Sequence, residues 1–143
     1  MSDPQADSIT KILSSYRTFA IVGCSPDPTR DSHRVARFLK ASGYRIVPVH
    51  PAGGVIIGER CYPDLGSIPD PVEVVDIFRR SELVAPHVDE AIAIGARATW
   101  MQLGVVDEAA AARARAAGLD VVMDRCPAIE HPRLAAAGLL PDR

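Results

Sequence analysis

The chain has few aromatic residues, no excess of positive charge, no long apolar run and no closely spaced cysteines. Aromatics make up 5% of its 143 residues, too few to build the stacking platform on which single-stranded nucleic acids lie. A net charge of -2 lacks the basic excess of a domain that grips a phosphate backbone, so no nucleic-acid partner is expected. No run approaches the ~20 apolar residues of a membrane span. The N-terminal stretch MSDPQADSITKILSSY also lacks the basic start and apolar core of a secretion signal. No membrane is therefore expected, and the cytoplasm is the expected location. Cys24, Cys61 and Cys126 are odd in number and form no CxxC pair, which suits reduced thiols better than a disulfide framework. His33, His87 and His131 share no ligand spacing with these cysteines, so no metal site is expected.

What remains is ordinary globular composition, 48% hydrophobic and 24% charged, at a length that suits one domain. Apolar, β-branched runs alternate with helical spacing. A short helix is expected over 8–15, with Ile9, Ile12 and Leu13 on one face, before a strand over 18–22. Gly23 stops that strand; Ser25, Pro26, Asp27 and Pro28 form a loop; and Asp31 or Ser32 caps a helix over 32–41. A second strand covers 45–49, and a Gly- and Pro-punctuated connection follows over 52–71. A third strand over 72–78 leads to a helix reaching 94, with Pro86 as the first residue of its main part. A fourth strand over 98–103 precedes an Asp107-capped, alanine-rich helix ending at Gly118, and a fifth strand covers 119–123. The rest, with three prolines, reads as a packed irregular tail with room for a short helix over 132–137, around a core of 8–134.

Five strands alternating with helices imply one α/β domain, a Rossmann-like doubly wound parallel sheet, with 3-2-1-4-5 as the expected order. Ligands of such sheets lie beyond the carboxyl ends of the strands, here at a switch point expected between strands one and four. That rule selects Gly23, Ser25, Pro26, Arg30 and Ser32 in the first loop, His50 and Pro51 after strand two, and Phe78 and Arg79 after strand three. It adds Gln102 and Gly104 after strand four, and Arg125 and Cys126 after strand five.

These residues form neither familiar nucleotide fingerprint. G-x-G-x-x-G after strand one is reduced to Gly23, and strand two ends in V-H-P without the ribose-binding acid, which disfavours a nicotinamide-dependent dehydrogenase. The Walker sequence is absent as well. Arg30, Arg79, Arg80 and Arg125 instead crowd one edge, where guanidinium groups can hold phosphate through paired, charge-assisted hydrogen bonds. The alternative for each is a solvated loop arginine or an ion pair with Asp27, Asp76 or Asp124. Cys126 reads first as a small buried hydrophobe and second as a thiol able to exchange with a ligand thiol. Trp100 and Met101 read as core. No Ser-His-acid set is evident.

Taken in order, A-I-V-G-C-S-P-D-P-T-R-D-S, I-V-P-V-H-P, V-D-I-F-R-R, W-M-Q-L-G-V-V and V-M-D-R-C resemble the small stand-alone coenzyme A-binding proteins, over residues 9–134. These are similar to the coenzyme A-binding domain of the succinyl-CoA synthetase α subunit. The resemblance implies coenzyme A or acyl-CoA at the strand ends, with Gly23, Ser25, Arg30 and Ser32 facing its phosphates and the V-H-P, F-R-R and Q-L-G turns lining the rest. In the ligases a second domain brings a phosphorylated histidine and a further subunit activates the acid; neither is expected within these 143 residues. The expected function is therefore binding without catalysis. The alternatives are an atypical nucleotide-dependent enzyme, either an oxidoreductase or a Cys126-dependent acyl or thiol transferase, and a CoA-sensing regulatory subunit. Pairing with a second copy or a partner protein is left open.

Overall fold

The β-branched runs become strands. In the computed structural model, which describes residues 3–141, the chain forms β1 (Thr18–Val22), β2 (Arg45–Val49), a small antiparallel hairpin of β3 (Val55–Ile56) and β4 (Glu59–Arg60), then β5 (Val74–Ile77), β6 (Ala98–Met101) and β7 (Asp120–Val122). Between and around them run α1 (Ala6–Ser15), α2 (Asp31–Ala41), α3 (Ala85–Ala93), α4 (Glu108–Ala116) and α5 (Pro127–Ala136). No helix of the described residues is long and apolar enough to cross a membrane.

Five strands pair in parallel into one sheet whose side chains alternate between two apolar layers. Phe19, Ile21, Val74, Trp100 and Val122 point to one layer with Ile12 of α1 and Val35 and Leu39 of α2. Ala20, Val22, Val75, Met101 and Val121 point to the other, with Val88 of α3 and Ala110 and Ala114 of α4. Helices therefore cover both faces, which is why the strands read as nearly continuous apolar runs. Trp100 and Met101 are wholly buried, and the Trp100 indole N–H donates to the Arg125 carbonyl at 2.8 Å.

The α/β class and the doubly wound arrangement agree with the sequence, but the strand order does not. The sheet runs β2-β1-β5-β6-β7, which in the numbering of the five long runs is 2-1-3-4-5 and not 3-2-1-4-5. The physical reason lies in the connection after β2. Tyr62 makes a single parallel bridge with Val49, its N–H donating to the Pro48 carbonyl and its own carbonyl accepting from His50 N–H. The outer side of β2 is thus taken by a bridge too short to count as a strand. β5 crosses to the other side of β1, with Val22 opposite Ile77. The switch point accordingly lies between β1 and β5.

Two local expectations also change. Neither Asp31 nor Ser32 caps α2: Arg30 occupies the N-cap position, no side chain caps the helix, and the Ser32 hydroxyl accepts instead from Ser25 N–H at 2.9 Å. The C-terminal segment is not an irregular tail but the ten-residue α5, which begins with Pro127 in its first turn and accommodates Pro132 internally. Proline at a first helical position removes an amide that has no helical acceptor, so it starts a helix as readily as it breaks one.

One buried group breaks the apolar rule. Asp76 sits in the middle of β5, is 0% exposed, and neither carboxyl oxygen has a hydrogen-bond partner among the described residues. Desolvation pushes its carboxyl well above the ordinary value. The folded protein therefore holds a proton that the unfolded chain releases above about pH 4. This group's contribution is most favourable at low pH and is lost as pH rises from the unfolded towards the folded value, at up to about 1.4 kcal/mol per pH unit. Asp76→Asn, which carries no titrating proton, is expected to flatten that slope. Urea denaturation between about pH 4.5 and 6.5 checks it, since an unchanged slope assigns the pH dependence elsewhere.

Candidate functional site

The loops that leave the carboxyl ends of β1, β5, β6 and β7 converge on one cleft of about 1110 Å³, just above the ~300–1,000 Å³ range of small-molecule sites. The first turns of α2 and α5 both border it, with Arg30 and Ser32 from one and Ala128 and Ile129 from the other. No side chain caps either helix. Their first-turn amides and the positive ends of two helix dipoles thus favour an anion in the cleft.

Gly23 turns the chain out of β1 with φ +80°. A Cβ there would stand 2.5 Å from the Phe78 carbonyl oxygen, so this glycine is demanded by the backbone of β5's exit loop. The Ser25 hydroxyl accepts from Asp27 N–H at 3.0 Å, and that of Ser32 accepts from Ser25 N–H. Each hydroxyl keeps its proton available to donate.

Charge in the cleft is unevenly neutralised. Arg34 is ion-paired with Asp31, and Arg80 reaches Glu82 at 3.5 Å. Arg30 and Arg79, both lining the cleft, make no ion pair among the described residues, which leaves two guanidinium groups for a ligand. Gln102 follows β6, is 6% exposed, and has an Oε1 without a partner among the described residues. Gly104 shapes the same turn with φ +78°; its N–H donates to Asp124 Oδ1 at 2.7 Å.

Nine of the sequence-selected residues meet here: Gly23, Ser25, Arg30, Ser32, Phe78, Arg79, Gln102, Gly104 and Cys126. Pro26, His50, Pro51 and Arg125 do not line the cleft. His50 folds onto its own turn, where Nδ1 accepts from Ala52 N–H at 3.1 Å. Arg125 is drawn away by Asp3, with guanidinium-to-carboxylate distances of 2.6 and 3.1 Å. That pairing holds the Asp3 carboxyl below its usual range. Gln5 fastens the same edge through paired hydrogen bonds with the Met123 backbone, at 2.7 and 2.8 Å. All three cysteines are free and buried.

Ser81 and Leu103, from the turns after β5 and β6, line the cleft too, and it has walls that the sequence reading missed, among them Phe38, Val105, Ala128 and Ile129. Pro127 directly after Cys126 was a signal for a helix start and so for Ala128 and Ile129. No local signal marked Phe38, whose helical spacing reads as core and which packs edge-on to His131 with ring centroids 5.6 Å apart.

A family model described as CoA binding domain matches residues 17–132, a span that holds β1 to β7 and every loop of the cleft. The chain belongs to the CoA-binding domain family. An uncharacterized protein of Bacillus subtilis, YneT, is 34% identical over 131 residues, covering 92% of this chain and 97% of its own. A solved structure of a hypothetical protein from Pyrococcus horikoshii OT3 is 40% identical with a TM-score of 0.86, over 90% of this chain and 91% of that one. The fold recurs in the dinucleotide-forming acetyl-coenzyme A synthetase 1 of Ca. Korarchaeum cryptofilum, at 23% identity and a TM-score of 0.68, over 79% of this chain and 27% of that one. Within this CoA-binding domain the Gly23 contact is the tightest steric demand on the cleft. Gly23→Ala, strained in both dihedral and contact, is expected to lower stability by at least about 1–3 kcal/mol. Denaturant titration measures it, and a near-neutral result requires that the β1 and β5 exit loops separate without cost.

Proposed function

We propose that the cleft at the carboxyl edge of the sheet binds coenzyme A or an acyl-CoA, and that this chain does so without catalysis of its own. The observation that carries this reading is that Arg30, at the uncapped start of α2, and Arg79, after β5, line one cleft at the switch point of a CoA-binding domain, neither held in an ion pair among the described residues. Coenzyme A presents phosphates for those groups, and charge-assisted pairing with guanidinium is the strongest polar interaction available to them. The hydroxyls of Ser25 and Ser32 supply donors for the remaining phosphate oxygens. Leu103, Val105, Ala128 and Ile129 offer an apolar wall for the pantetheine arm. Among the described residues neither a nucleophile–base pair nor an acid–base pair aimed at a reacting atom accompanies this set, which favours binding over turnover.

Coenzyme A is expected to raise the melting temperature, while nicotinamide dinucleotides leave it unchanged. Affinity is expected to fall as salt rises, because phosphate charge is being matched. Arg30→Ala and Arg79→Ala are each expected to weaken binding by ~1.5–3 kcal/mol, or roughly 10- to 150-fold in Kd. Isothermal calorimetry decides this, and an unchanged affinity removes that arginine from the site. Turnover of an acyl-CoA that disappears in Cys126→Ser establishes the transferase reading instead.

A further inference from the structure

All three cysteines are buried, Cys61 at 4% and Cys126 at 7% exposure, and position separates them. Cys24 is 0% exposed, and desolvation, with smaller contributions from Cys61 and Asp76, pushes its thiol up to about 12. Burial raises the Cys61 thiol as well. Cys126 alone of the three lines the cleft, at the N-cap of α5. A second observation points to a ligand at this end: Gln102 also lines the cleft, and its buried Oε1 has no partner. Arg125 N–H donates to the Met101 carbonyl at 3.4 Å, which brings the start of α5 beside the end of β6 and hence beside Gln102.

The strand order arranges these groups in a row. Arg30 follows β1, Arg79 follows β5, Gln102 follows β6 and Cys126 follows β7. Adjacent strands lie ~4.8 Å apart, so three steps of about 14 Å in all separate the exits of β1 and β7. Cations stand at one end, a thiol at the other, and an amide acceptor between. Coenzyme A has the same sequence of groups: phosphates, an arm with two amide N–H donors, and a terminal sulfur.

Resting on the reading of the cleft as a coenzyme A site, we propose that Cys126 is a thiol–disulfide exchange site, which takes up coenzyme A covalently from a coenzyme A disulfide seated in the cleft. The Cys126 thiol gives its proton to solvent, and its sulfur attacks the ligand sulfur on the pantetheine arm. The ligand S–S bond breaks as the bond between Cys126 and coenzyme A forms, and the displaced thiolate leaves and takes a proton from solvent. One disulfide is exchanged for another, so no external oxidant enters. A small thiol reverses the step by the same route.

The test mixes the full chain with the symmetrical disulfide of coenzyme A and, separately, with glutathione disulfide, and follows intact mass without reductant. One coenzyme A adduct per chain is expected, with release of one equivalent of coenzyme A thiol and reversal by dithiothreitol. It is expected to form about ten-fold or more faster than the glutathione adduct, because binding holds the reacting sulfurs together. Cys126→Ser is expected to take up none, and peptide mapping of the wild-type adduct locates it independently of how that variant folds. Calorimetry with reduced coenzyme A runs in parallel. Binding without an adduct, an adduct on Cys24 or Cys61, or equal rates from the two disulfides overturns the proposal and leaves the binding reading standing. No binding of coenzyme A overturns both.

Discussion

β1 and β5 lie side by side because Gly23 has no side chain. With φ +80° and the Phe78 carbonyl 2.5 Å from where a Cβ would be, the exits of the two strands can touch only at a glycine. That contact sets the rest of the cleft in order. It brings the Arg79 loop against the Arg30 loop, and it marks the switch point between β1 and β5. Had β5 paired outside β2, the F-R-R turn would stand beyond β2, two strand spacings or about 10 Å from β1. The two unpaired guanidinium groups would then not share a cleft.

The cleft's electrostatics follow from which charges find partners elsewhere. Asp31 neutralises Arg34, Glu82 approaches Arg80, and Asp3 holds Arg125 outside. What is left, Arg30 and Arg79 with two uncapped helix starts, is a concentrated positive field in a chain of net charge -2. Composition could not have revealed it, because local pairing decides the sign of a site whatever the sum over the chain. The buried Asp76 has no hydrogen-bond partner among the described residues, and desolvation raises its carboxyl well above the ordinary value, which disfavours an opposing charge there.

Much of the fold was readable because short-range physics produced it. β1 and β2 have the bounds their apolar runs imply, and Asp107 caps α4 by accepting from Ala110 N–H at 3.0 Å. Pro86 enters α3 in its first turn, and Gly43 and Gly118 follow helix ends with positive φ. The failures were of two kinds. Pro127 was read as a breaker where it is a helix starter, a misjudged local signal. Arg125 and His50 were put at the ligand because they follow strands, yet one is captured by Asp3 and the other by its own turn. A position at a strand's end does not say which way a long side chain points.

Taken alone, the sequence determined most of the elements, the doubly wound class and the family, since these rest on periodicity, turn chemistry and the order of local motifs along the chain. Tertiary structure alone decided that β5 lies beside β1, which arginines remain unpaired, that α5 borders the cleft, and that Cys126 rather than Cys24 or Cys61 meets it. Each of those outcomes depends on contacts between residues far apart in the chain: Tyr62 with Val49, Gly23 with Phe78, Asp3 with Arg125. Such contacts are chosen by the energy of the whole packed arrangement, and no local window of the sequence contains both partners.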